Sequence, residues 1–211
     1  MAQLRLLGTP LSHFTRKVRV LCAELGVAYD FERATSVLAT TAAAYGENPL
    51  MRVPTLVHGE HMLIESDHIA RYLVGVYDPE DRLDVRSDDV RALNRLAVAN
   101  GIMDNEVVLI LAKRGGLADL DGVAYFRKLT AAIQSGLAWL DASSVADDPF
   151  DYAEIATICM WQHAAHYALV PLDAYPRLRA RVARFAARPS ISSTTPEVSL
   201  AEARAVGWAP A

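Results

Sequence analysis

The chain has 211 residues, 52% hydrophobic and 22% charged, with a formal net charge of −4. That length suffices for one large domain or two smaller ones with self-sufficient cores, and the composition disfavours disordered and fibrous classes. The mild negative charge, without any long basic run, argues against capture of nucleic acid.

The N-terminus, Met1-Ala2-Gln3-Leu4-Arg5, turns within a few residues to Gly8 and Pro10, which leaves no room for the apolar region of a signal peptide. Every apolar stretch is interrupted by charges before the ~20 residues that a membrane helix needs. A cytoplasmic location without membrane association is expected. Cys22 and Cys159 lie far apart in apolar helical surroundings, which fits buried, reduced thiols.

In chain order, Leu4-Arg5-Leu6-Leu7 reads as a short strand ended by Gly8. Ser12 can cap a helix whose Val18, Leu21, Cys22 and Leu25 recur at helical spacing, with Gly26 as its C-terminal cap. Val27 to Glu32 alternates like a strand, and the alanine-rich stretch from Leu38 to Tyr45 suits a short helix before Asn48-Pro49. Pro54 to Val57 and Met62 to Ile64 flank His58-Gly59-Glu60-His61 and predict an antiparallel hairpin. Ser66 is then the expected N-cap of a helix presenting Ile69, Tyr72, Leu73 and Val76. The order is β-α-β-α-β-β-α over residues 1–77, followed by a charged, proline-containing linker over 78–85.

Residues 86–211 read as an all-helical domain. One long helix is expected from about Ser87 to Lys113, ended at Gly115-Gly116, and a second from about Gly122 to Leu140. The third carries the sharpest start signal: Asp151 as N-cap, Glu154 at the reciprocal position, and Phe150 with Ile155 as a hydrophobic staple. A basic amphipathic helix from about Tyr175 to Arg188 is stopped by Pro189, and Ser190 to Thr195 reads as a loop leading to a weakly ordered tail.

Three runs resemble the glutathione transferases segment by segment: Ser12 to Val20, Asn48 to Val57, and Leu63 to Leu73. The likeness is to bacterial members that carry Ser, then Phe and Arg-Lys, at the first helix start. It implies a thioredoxin-like N-terminal domain, an all-helical C-terminal domain, and glutathione as co-substrate with no metal. It also implies a cis bond before Pro54, which would turn the Val53 amide and carbonyl toward the ligand.

The chemistry can be argued from the residues as well. Glutathione's extended cysteinyl residue can be held along a strand edge by main-chain groups, for which Val53 is placed. Glu65-Ser66 stands at a strand-to-helix junction, where free amides and the helix dipole favour an anion such as the γ-glutamyl carboxylate. Glu65 would pair with the ligand's amino group. The bland alternative is that Ser66 is merely a cap and Glu65 a solvated acid.

Ser12 is the candidate activator of sulfur, stabilising a thiolate whose thiol has a pKa near ~8.5, although it also reads as a plain cap. Thr9 and Thr15 are hydroxyls that could substitute, and His13 could assist. Arg52 sits where family members often place a basic or polar residue near the glycyl carboxylate. Arg16, Lys17 and Arg19 are expected to be mostly solvated, and Asp104 to be a surface acid.

The expected second substrate is an apolar small-molecule electrophile, bound against Leu11, Met103 and Val107, with Trp161 and Tyr167 less directly placed. His163 and His166 share a helix face, but two ligands alone make a poor metal site. A homodimer is implied by the resemblance, with the helix after Ser66 and the first long helix contributing. Two other functions remain open, a non-catalytic glutathione-binding module and a glutathione-dependent isomerase.

Overall fold

The computed structural model describes residues 3–34, 36–144 and 149–208. The N-terminal elements are β1 (Leu4–Gly8), α1 (His13–Leu25), β2 (Asp30–Arg33), a single 3-10 turn (Ala42–Tyr45), β3 (Thr55–His58), β4 (His61–Ile64) and α2 (Ser66–Tyr77). The strands form one mixed sheet in the order β2-β1-β3-β4, with β1 parallel to β2 and antiparallel to β3. Helices α3 (Val90–Arg114), α4 (Ala124–Ser143), α5 (Tyr152–Tyr167), α6 (Pro176–Phe185), α7 (Pro189–Ser192) and α8 (Pro196–Ala205) follow.

Two compact units result: Met1–Arg86 together with Arg188–Ala211, and Ser87–Ala187. The first stretch ends at Arg86 and the second unit begins at Ser87. The expected helical domain of 86–211 differs at its end, because the segment from Arg188 packs with the first unit.

In the first unit, alternation along the strands sends Leu4, Leu6, Leu56 and Leu63 into the core, which Val18 and Leu21 of α1 and Ile69 and Leu73 of α2 complete. Gly8 allows α1 to start close to the sheet, since a Cβ there would lie 2.2 Å from Thr15 Cγ2. Ser12 caps α1 by accepting from the Thr15 amide at 3.1 Å. Gly26 closes it at φ 65°, and the Val27 amide bonds back to Cys22 O at 2.8 Å. That bond occupies the Val27 backbone, so β2 starts at Asp30 rather than at Val27 as expected.

The helix expected over Leu38–Tyr45 shrinks to its last four residues, anchored where the Tyr45 hydroxyl donates to Ala39 O. The linker is a set of tight turns tied by carboxylates. Asp78 accepts from the Arg82 amide and guanidinium, and Asp81 from the amides of Val85 and Arg86.

The tail is also ordered differently from expectation through Trp208, beyond which it lies outside the described residues. Pro189 and Pro196 each begin a helix instead of ending one, a position where a missing amide costs nothing. Their partners are on α1 and beside β2. Arg16 donates to Thr194 Oγ1 and Ile191 O, Arg19 to Ser199 Oγ and Glu202, Arg188 and Ser190 to Glu24, and Trp208 Nε1 to Ala34 O. The α1 cations expected in solvent are therefore buried, since hydrogen-bonding partners arrive from far along the chain.

In the second unit, α5 is buried on nearly every side and so lacks an amphipathic stripe. It packs against α3 and α6, and α4 crosses α3 at Gly136, where a Cβ would come within 2.9 Å of Ile102. Asp151 caps α5 by accepting from the Glu154 amide at 2.6 Å, as the sequence predicts. Glu154 instead turns its carboxylate to Arg181 and Arg95, and Arg95 also meets Asp151, so a buried ion cluster joins α3, α5 and α6. Phe150 packs on Phe185 with ring centroids 5.0 Å apart.

Candidate functional site

Strand register determines which loops meet. Leu7 at the end of β1 pairs with Thr55 at the start of β3, and Thr55 with Ile64 at the end of β4. The loop leading to Ser12, the Val53-Pro54 pair and the Glu65-Ser66 junction therefore emerge at the same end of the sheet. Three stretches, the first and last more than fifty residues apart in sequence, are brought together in one unit. The residues predicted from sequence divide accordingly: Leu11, Ser12, Arg52, Val53, Pro54, Glu65 and Ser66 belong to this unit, and Met103 and Val107 to α3 of the other.

Each residue has a distinct setting. The Val53-Pro54 peptide bond is cis. Val53 is half-buried, Pro54 buried and Arg52 exposed. Asn48, which the sequence marks only as the start of an Asn-Pro break, is buried and ties this loop together. Its Oδ1 accepts from the Leu50 amide at 2.9 Å, and its Nδ2 donates to Arg52 O at 2.9 Å and to Thr55 Oγ1 at 3.3 Å. Thr55 Oγ1 in turn donates to Tyr45 O at 2.8 Å. A buried side chain satisfied by main-chain groups on both sides of a loop holds that loop's shape.

Glu65, rather than Ser66, is the N-cap of α2, and Ser66 is its first residue. The one-residue difference from expectation goes with an unusual backbone: Glu65 has φ 70° and ψ 123°. A side chain with a Cβ at positive φ costs on the order of 1–3 kcal/mol, and such strain concentrates at binding sites. Glu65 is exposed while Ser66 is buried, so the acid is available to solvent and the hydroxyl lies against the helix start. The next residue, Asp67, is joined to the buried Lys17 of α1 at 2.5 Å.

Ser12 is half-buried, and its cap bond uses an oxygen lone pair, which leaves the hydroxyl proton for an acceptor outside the helix. Its neighbour His13 is buried and stacks on Phe14 at 4.6 Å. Thr15 is buried against Gly8, and Thr9 is buried. Cys22 is buried and free, and burial pushes its thiol up to about 12, so it stays protonated at neutral pH.

In the second unit Met103 is fully buried, Val107 half-buried, Trp161 buried, Tyr167 half-buried and Asp104 exposed. Glu106 of α3 and His163 of α5 form a buried pair, Oε2 to Nδ1 2.6 Å apart, and burial raises the Glu106 carboxyl well above the usual carboxylate range. His163 thus faces a carboxyl, while His166 lies edge-on to Tyr167 at 5.1 Å.

Residues 6–81 match the family described as glutathione S-transferase, N-terminal domain. Among solved structures, the chain is similar to a glutathione transferase family member from Pseudomonas fluorescens Pf-5 with bound glutathione, at 29% identity over 92% of this chain and 99% of that one, with a TM-score of 0.77. It is similar also to a glutathione S-transferase from Methylobacillus flagellatus KT with glutathione bound, at 26% identity over 92% and 100% of the two chains, TM-score 0.74. A third, from Methylobacterium radiotolerans JCM 2831 in complex with glutathione sulfonate, shares the fold at 23% identity over 92% and 95%, TM-score 0.77. Among curated proteins there is no match.

Proposed function

We propose that this chain, whose residues 6–81 match the glutathione S-transferase N-terminal domain family and which has the glutathione transferase fold, is a serine-type glutathione transferase. It joins the glutathione thiolate to an apolar electrophile, in detoxification or catabolism. The observation that carries this reading is the meeting of Ser12, Val53-Pro54 and Glu65-Ser66 at one end of the sheet. The glutathione bound to the Pseudomonas and Methylobacillus proteins supports it as co-substrate here.

In this reading the main chain of Val53 pairs with the extended cysteinyl residue as an added strand would. The Ser66 end of α2 receives the γ-glutamyl carboxylate, Glu65 its amino group, and Arg52 the glycyl carboxylate. Ser12 donates a hydrogen bond from its hydroxyl to the sulfur, which favours thiolate over thiol, and the thiol's proton passes to water. The thiolate then forms the carbon–sulfur bond as the electrophile's leaving group departs or its new anion takes a proton from water. Leu11, Met103 and Val107 are the proposed electrophile-site residues. A cytoplasmic homodimer completes the reading, and the exposed apolar Val76 of α2 and Val90 and Leu93 of α3 support surfaces for association.

Ser12→Ala tests the catalytic role. Turnover should fall about a hundredfold with little change in glutathione affinity, the size of effect seen when one donor to a reacting anion is lost. Unchanged kinetics would move the role elsewhere. The cap bond of Ser12 favours a second reading, in which the serine serves only the helix and the protein binds glutathione without reacting it. Assays with aryl halides, epoxides and hydroperoxides separate the two: tight binding with no turnover on any of them selects the binding module.

A further inference from the structure

The first turn of α2 contains an apparent contradiction of charge. Its amides and dipole suit an anion, yet Asp67, its second residue, places a full negative charge within the same turn. Two like charges there would oppose one another. Lys17 resolves the conflict: it is fully buried, its Nζ lies 2.5 Å from Asp67 Oδ1, and its ammonium also stands 5.7 Å from the centre of the Phe14 ring. Helix stability alone calls for no such partner, because a first-turn acid already interacts well with the helix dipole. Burying an ammonium carries a large desolvation cost, so its place against Asp67, the residue after Ser66, implies a further demand.

We propose that Lys17 is a positioning residue of the anion subsite at the start of α2. It neutralises Asp67, and so keeps the Ser66 end of the helix attractive to the γ-glutamyl carboxylate. The inference rests on the glutathione reading and adds a residue to it. Lys17 touches no ligand in this account. It acts through Asp67 and the orientation of the first turn.

Calorimetric titration of the full chain with glutathione tests the proposal. Lys17→Met, which keeps the length of the side chain, should weaken binding about tenfold, within the range of a helix-terminus charge effect. Lys17→Met with Asp67→Asn should return to within about threefold of wild type, because the uncompensated acid is gone. A merely structural lysine would give no such rescue. Direct affinity for cysteinylglycine, which lacks the γ-glutamyl carboxylate, should be the same for wild type and Lys17→Met.

Should Lys17→Met fail to fold, Asp67→Asn alone decides: glutathione affinity should rise about threefold, and an unchanged or lower affinity would overturn the proposal. Unaltered binding by Lys17→Met, or a double variant as weak as the single one, would overturn it as well. Wild type that binds no glutathione would overturn the glutathione reading and this inference with it. Wild-type binding that Lys17→Met leaves intact would sink this inference alone.

Discussion

At Ser12, one hydroxyl can serve the fold with its lone pair and the sulfur with its proton, so removing it should have two separable effects. Besides its effect on turnover, Ser12→Ala should cost about 1 kcal/mol of stability as a lost cap. Glu106 offers a prediction of pH dependence. Because burial raises its carboxyl, the folded chain keeps a proton that the unfolded chain releases above about pH 4.3. The sign follows directly: stability falls as pH rises from there toward the folded pKa. Glu106→Gln, which mimics the protonated acid toward His163, should gain stability over wild type as pH increases from 5 to 8. Chemical denaturation across that range checks it, and a constant difference would refute the assignment. Asn48 marks the limit of reading single residues from sequence. Asn-Pro identifies a break, but the three bonds that make its side chain a tie depend on the loop's path.

Among elements, α1 was legible at both ends and misread in the middle. Ser12 and Gly26 act locally, so their caps follow from sequence. Arg16 and Arg19 look like solvent-facing cations until α7 and α8 supply their partners, Ser199 being 180 residues from Arg19. Local periodicity contains no such information. Arg19 also bonds Tyr29 and stands over the Phe31 ring at 4.8 Å. Arg19→Ala should therefore destabilise the fold by about 2–3 kcal/mol, measured by denaturant unfolding, where a solvated arginine would cost almost nothing. The hairpin was readable because Gly59 at φ 60° supplies its turn, and the Glu65 cap was missed by one residue because its positive φ has no residue-type signal.

For the whole molecule, the division into an α/β part and a helical part was visible in the change of periodicity near residue 86, but the return of the final segment was not. Closure of the first unit depends on distant side-chain pairs rather than on any local pattern. A fragment of residues 1–86 should consequently show little cooperative unfolding in circular dichroism, whereas adding 188–211 as a separate peptide should restore it. Cooperative melting of 1–86 alone would show that the segment is dispensable.

The position of that segment also imposes an order on synthesis. The first unit begins to leave the ribosome earliest, but the partners of Arg16, Arg19 and Glu24 are translated only after Ser87–Ala187 has been made. At roughly 5–20 residues per second, that interval lasts about 5–20 s. During it the nascent sheet and α1 carry buried-type cations without their final acceptors, and the second unit, continuous in sequence, is free to complete first.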